Sequence, residues 1–195
     1  MRTTGMMNTL QVDPTTCEVF LRLPAPHENI VITPPRESDT DDLVLMLNDP
    51  RIYKFLFNPP FPYHPHHAEE WIRATRSKSD KLLKALREGE AVVDGFPVQY
   101  IREVQPDGKW LLLGDVSVAR YGWCAVSDEE LRAKMEKENS QKPVGDPDIV
   151  WTIGGVCHPK RSYANTGHTL RRDVPQTTSG PATTARGSCP QQSER

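Results

Sequence analysis

Apolar residues recur along this chain at two different spacings. Between residues 65 and 87, Ala68, Trp71, Ile72 and Thr75 fall at i, i+3, i+4 and i+7. Leu82, Leu83 and Leu86 resume that stripe after a polar patch at residues 77–80, so the period predicts one long amphipathic helix. Glu69 and Glu70 stand at its start and Lys84 and Arg87 near its end, the polarity a helix dipole favours, and Gly89 ends it. A shorter helix is predicted from Ser38 to about Asn48, with Ser38 as N-cap, Asp39, Asp41 and Asp42 in the first turn, and Leu43, Leu45, Met46 and Leu47 buried. Asp49-Pro50 restarts the chain as a cap followed by proline, and Ile52, Tyr53, Phe55 and Leu56 pack a second short helix.

The strand-like regions have a different texture. Ile30-Val31-Ile32 is a short strand stopped by Pro34-Pro35, which cannot donate to a ladder. Residues 98–104 and 110–121 flank the turn Gln105-Pro106-Asp107-Gly108 and predict an antiparallel hairpin, with Trp110, Leu112, Val116 and Val118 on one face. Ser127 with Glu130 reads as a capping box opening a charged surface helix over about 127–139. Residues 149–158 are apolar on both strand faces, which predicts a central strand covered above and below. Gly154-Gly155 interrupts it, marking a bulge or a close backbone approach, and His158-Pro159 ends it.

Composition narrows this picture. With 195 residues, one domain is expected, or two at most. Only 36% of residues are hydrophobic and 18 are proline, so part of the chain is expected not to pack. That part falls at the ends: residues 1–22 as a disordered lead-in and 162–195 as a disordered tail, with 23–161 forming the folded domain. A net charge of -2 gives no general reason to expect nucleic acid or a membrane as partner. Cys17, Cys124, Cys157 and Cys189 are far apart and form no C-x-x-C pair, which suits free thiols in a reducing, cytoplasmic setting.

The element order carries a resemblance. A strand, two or three helices and a meander ending in a glycine-bent strand are similar to the GNAT N-acetyltransferase fold. The residues concerned are Ile32-Thr33-Pro34 with Asp39, Leu47-Asn48-Asp49-Pro50-Arg51-Ile52-Tyr53, Ala68-Glu69-Glu70-Trp71-Ile72, Leu113-Gly114-Asp115-Val116 and Trp151-Thr152-Ile153-Gly154. Among GNAT proteins the chain most resembles the branch of ribosomal-protein and other small acetyltransferases. The fold class expected is therefore α/β (α+β), a GNAT-like mixed sheet with flanking helices, incomplete after the fourth strand.

The resemblance implies an N-acetyltransferase that moves acetyl from acetyl-CoA, its co-substrate, to an amine on a small molecule or a protein N-terminus. It places Gly155, Val156, Cys157 and His158 along the cofactor arm through their main chain, and Arg161 at the first position of the pyrophosphate loop. In this family a backbone N–H of that strand also stabilises the oxyanion formed on the thioester. The attacking amine must be neutral; for a lysine-like amine this costs roughly 4.6 kcal/mol at pH 7 unless a base or desolvation helps.

The chain departs from the family after this strand. In place of Arg/Gln-x-x-Gly-x-Gly/Ala it has residues 159–168, PKRSYANTGH, in which neither glycine follows at the required spacing. From 165 to 195 the only larger apolar residues are Leu170 and Val174. The C-terminus thus reads as truncated or altered, and activity is expected to be impaired. The alternative is a non-catalytic GNAT remnant acting as a binding or interaction module. Truncation after this strand makes 149–158 an edge, so low stability, self-association through it, or dependence on a partner is expected.

Other residues carry weaker signals. His64, His66 and His67 lack the carboxylate or cysteine spacing of a metal site, and no metal is expected. Asp115 and Glu103 are candidate bases, although an acid on a half-exposed strand is ordinarily just solvated. Cys124 and Cys157 have no evident histidine partner. Arg171, Arg172 and Arg186 in the tail are candidates for contact with acidic partners, although a polar tail ordinarily does nothing specific.

Overall fold

A computed structural model describes residues 9–56 and 59–158. Six strands form one sheet in chain order: β1 (Gln11–Val12), β2 (Val19–Arg22), β3 (Ile30–Thr33), β4 (Tyr100–Val104), β5 (Trp110–Arg120) and β6 (Trp151–Cys157). Each strand pairs antiparallel with the next. Four α-helices accompany them among the described residues: α1 (Thr40–Leu47), α2 (Pro50–Tyr53), α3 (Pro65–Arg87) and α4 (Glu129–Gln141). The chain is thus mixed α and β, with an antiparallel sheet.

The predicted helical stripe of α3 buries Ala68, Ile72, Thr75, Leu83 and Leu86, whereas Trp71 stays 54% exposed. Leu43 and Met46 of α1, Ile52 of α2, and Ala68 and Ile72 of α3 pack with Tyr63 against Tyr100 and Leu112 of the sheet. Val156 of β6 lies against the same cluster. Asn48 fixes the loop before α3: its side-chain amide donates to the Tyr63 carbonyl (2.7 Å) and its Oδ1 accepts the Tyr63 N–H (2.9 Å). At α2 the Asp49 side chain accepts the Arg51 N–H and Pro50 takes the first helical position, as the Asp-Pro pair predicts.

Several expectations are corrected. Within the lead-in expected to be disordered, 1–22, residues 11–12 form β1 and residues 19–22 form β2, and Val19 and Phe20 are buried. Phe20 and Trp110 form a T-shaped ring pair, which supplies the apolar contact the local composition did not suggest. Ser38 does not cap α1; it lies in a 3-10 turn (Glu37–Asp39), and Asp39 is the residue at the cap position. The carboxylate of Asp39 is drawn inward, accepting both guanidinium arms of Arg102 at 2.8 and 2.7 Å. The α4 cap is Asp128 instead of Ser127, with Asp128 Oδ1 accepting the Leu131 N–H at 3.0 Å. The predicted tail, 162–195, lies outside the described residues.

Among the described residues β6 pairs with β5 alone, at the edge of the sheet, as expected for strand 149–158. The expectation that it is covered above and below is corrected. Ile153 is 76% exposed and Trp151 37%. Successive side chains of a strand alternate between faces. Val156 packs against the cluster of helices α1 to α3, and among the described residues no helix of that cluster covers the opposite face, that of Trp151 and Ile153. Apolarity on both faces therefore does not mean coverage on both faces.

Candidate functional site

The candidate site is the β5–β6 seam, where four of the five sequence-predicted residues lie. Its register runs without a shift from Arg120↔Trp151 to Gly114↔Cys157. Gly155 marks a close approach, as glycine in a strand suggests: a Cβ there would lie 2.3 Å from the Asp115 carbonyl oxygen. Across the seam, a Cβ on Gly114 would lie 2.0 Å from the Val156 carbonyl oxygen. Gly154 differs, since its Cβ would meet only the Ser117 hydroxyl at 3.5 Å, an ordinary contact. One glycine of each strand is therefore required for the two backbones to lie this close.

The register also decides which backbone groups face outward. Tyr121 N–H donates to the Val150 carbonyl and His158 N–H to the Leu113 carbonyl, at 2.9 and 2.6 Å. In an antiparallel ladder, hydrogen-bonded pairs alternate with pairs whose N–H and C=O point away. Residues 152, 154, 156 and 158 thus face β5, and Trp151, Ile153, Gly155 and Cys157 direct N–H and C=O away from it. The sequence treated residues 155–158 as four equivalent cofactor-lining positions. Only Gly155 and Cys157 have outward main-chain groups. The Val156 N–H is accepted by Asp115 Oδ1 at 2.9 Å, and the His158 N–H by Leu113. Arg161 lies outside the described residues.

Asp115 is the carboxylate built into this seam. Burial pushes its carboxyl above the usual aspartate range, and the Val156 N–H opposes that shift only in part. Directly across from it on β4 stands Tyr100, 1% exposed. Its hydroxyl is buried without a hydrogen-bond partner among the described residues. Burial, with Asp39 and Asp115 adding negative charge, drives the phenol pKa far upward, so Tyr100 stays neutral. The Cys157 thiol is likewise pushed up, by desolvation first and then by Asp115, which leaves it a poor nucleophile at neutral pH. At α2 the Arg51 side chain and N–H hold the Asp49 carboxyl well below its usual range, and His158 adds to this from the end of β6.

Beside the seam lies a buried ion pair that the sequence reading missed. Arg102 and Asp39 have side chains 2% and 3% exposed. Arg102 Nε also donates to the Thr33 hydroxyl at 2.8 Å, and that hydroxyl donates to the Pro34 carbonyl at 2.8 Å. The available signal was an arginine at the middle position of Tyr100, Arg102 and Val104, which share one strand face. Glu103, the other candidate base, is 7% exposed and accepts from the side chains of Asn29 and Gln105, a structural engagement.

The other candidate groups lie elsewhere. His64, His66 and His67 cluster at the start of α3, where His67 Nδ1 accepts the His64 N–H at 3.0 Å. Among the described residues no group of three or more His, Cys, Asp or Glu side chains is placed to hold a metal ion. No described helix is long and apolar enough to cross a membrane. Two surface grooves, of about 780 and 1030 Å³, run beside α3; the first also borders Thr16, Arg36 and Trp110, and β6 lines neither. Comparison of the chain with family models, curated proteins and solved structures returns no match.

Proposed function

We propose that the chain is an N-acetyltransferase-like protein whose β5–β6 seam receives acetyl-CoA. The observation that carries this reading is the outward main chain of Gly155 and Cys157, on an edge strand held tightly to β5 by Gly114. The antiparallel run β3-β4-β5-β6, with α1 to α3 inserted after β3, supports it because that order carries the resemblance to GNAT proteins. On this reading the pantetheine amides pair with the N–H and C=O of Gly155 and Cys157. An amine attacks the thioester carbonyl carbon, and a main-chain N–H of β6 stabilises the oxyanion. The C–S bond then breaks, CoA leaves as thiolate, and the proton lost by the amine neutralises it. Asp115 acts as a positioning residue, fixing the strand through the Val156 N–H.

Calorimetric titration with acetyl-CoA, repeated with desulfo-CoA, tests the proposal. Micromolar binding of both is expected, and a folded sample that binds neither contradicts it. A second reading, a binding module without catalysis, is favoured by one observation: neither groove beside α3 includes a β6 residue. Cofactor binding without turnover across a panel of amines would select that reading.

A further inference from the structure

We infer that β6 is a homodimerisation strand, and that its occupant is the β6 of a second copy, paired antiparallel about Gly154. The inference rests on the register and does not depend on the acetyl-transfer reading. Exposed edge strands ordinarily resist such pairing with charge, proline or a bulge. Residues 151–157, WTIGGVC, contain no charge and no proline. Their pairing with β5 shows no register shift.

The outward groups belong to Trp151, Ile153, Gly155 and Cys157, and an antiparallel two-fold at Gly154 aligns them with one another. Trp151 then faces Cys157 of the second copy, and Ile153 faces its Gly155. Every bulky side chain on the open face meets a small residue. Ile153, 76% exposed in one chain, covers the place where Gly155 has no side chain. On the helix-covered face Thr152 meets Val156, and Gly154 meets itself. The alignment uses all seven strand residues and forms about eight inter-chain hydrogen bonds. Sliding the register by two residues puts Ile153 against Ile153 or Gly155 against Gly155 and leaves residues unpaired at the strand end. The contact is isologous, so it closes at two copies. It also uses the N–H groups of Gly155 and Cys157, so a second copy and a pantetheine arm exclude one another.

The experiment uses the full chain. Sedimentation equilibrium is expected to give twice the 22.0 kDa of one chain at high concentration. Ile153→Lys puts a charge at the centre of the pairing and is expected to weaken dimerisation at least tenfold, with circular dichroism unchanged. A second readout does not require that variant to fold. With Cys17, Cys124 and Cys189 changed to Ser, Trp151→Cys is expected to form a disulfide-linked dimer through Cys157 of the second copy. Cα atoms of a hydrogen-bonded antiparallel pair lie about 5.5 Å apart, within disulfide range. Ile153→Cys in the same background, facing glycine, is expected to cross-link at least tenfold less. A monomer at all concentrations, or equal cross-linking by the two cysteine variants, would overturn the inference.

Discussion

Two regions a few strands apart treat their polar groups in opposite ways. Around Arg102, every named partner is internal: Asp39 takes both guanidinium arms and Thr33 takes the third donor, all of them buried. At β6, half of the strand's main-chain groups have their ladder partners and the other half point off the sheet. The first arrangement ties β3, β4 and α1 together and leaves little to offer a ligand. The second leaves main-chain hydrogen bonds for a ligand or another strand to complete. A buried charge pair costs desolvation that only full pairing offsets, whereas an edge N–H is satisfied by water until something displaces it.

Breaking the Arg102 region should have the largest effect. Arg102→Met leaves Asp39 buried without its counter-charge and is expected to cost about 3–5 kcal/mol in urea unfolding. Arg102→Met with Asp39→Leu should recover part of that loss, since two apolar side chains need no partner. A cost below about 1 kcal/mol for the single change would mean that the pair does not hold the fold.

The seam glycines give a smaller and sharper contrast. Gly114→Ala puts a methyl group into the Val156 carbonyl and is expected to cost about 1–3 kcal/mol by overpacking. Gly154→Ala meets only a hydroxyl at ordinary contact distance and should stay within about 0.5 kcal/mol. Equal denaturation midpoints for the two variants would show that β5 and β6 are not as close as described.

The smallest effect is the pH dependence of Asp115. Its carboxyl is raised in the folded chain, mainly by burial, so the folded state holds the proton more tightly than the unfolded one. Its contribution to stability is complete below the ordinary aspartate pKa of about 3.9 and is lost as pH rises through the higher folded value. The wild type should therefore lose stability relative to Asp115→Asn as pH rises across that window, measured by paired urea titrations. A difference that grows in the opposite direction would mean that the Val156 N–H outweighs burial. Asparagine can still accept that N–H, so Asp115→Asn should also preserve acetyl-CoA affinity if Asp115 only positions the strand.

The parts of this fold governed by local rules were legible in the sequence. The α3 stripe, the Asp49-Pro50 start of α2, the hairpin turn at Pro106-Asp107 and the close approach at Gly155 all follow from backbone geometry and spacing. What depended on distant partners was not. Phe20 gives a strand its anchor only because Trp110 meets it, and Asp39 reads as a helix-start acid until Arg102 reaches it. Asn139 of α4 accepts the Val150 N–H and donates to its carbonyl, docking a helix whose charged sequence suggested only a solvated surface. At the candidate site the residue types were readable. Which of Gly155, Val156, Cys157 and His158 face outward was not, because pairing parity comes from the register with β5.

That parity is the central claim, and amide hydrogen exchange by NMR tests it most directly, at a dilution where the chain is monomeric. Val156 and His158, turned toward β5, are expected to exchange at least ten times more slowly than Gly155 and Cys157. Equal protection of all four amides, or protection of Gly155 and Cys157 with exposure of Val156 and His158, would contradict the account.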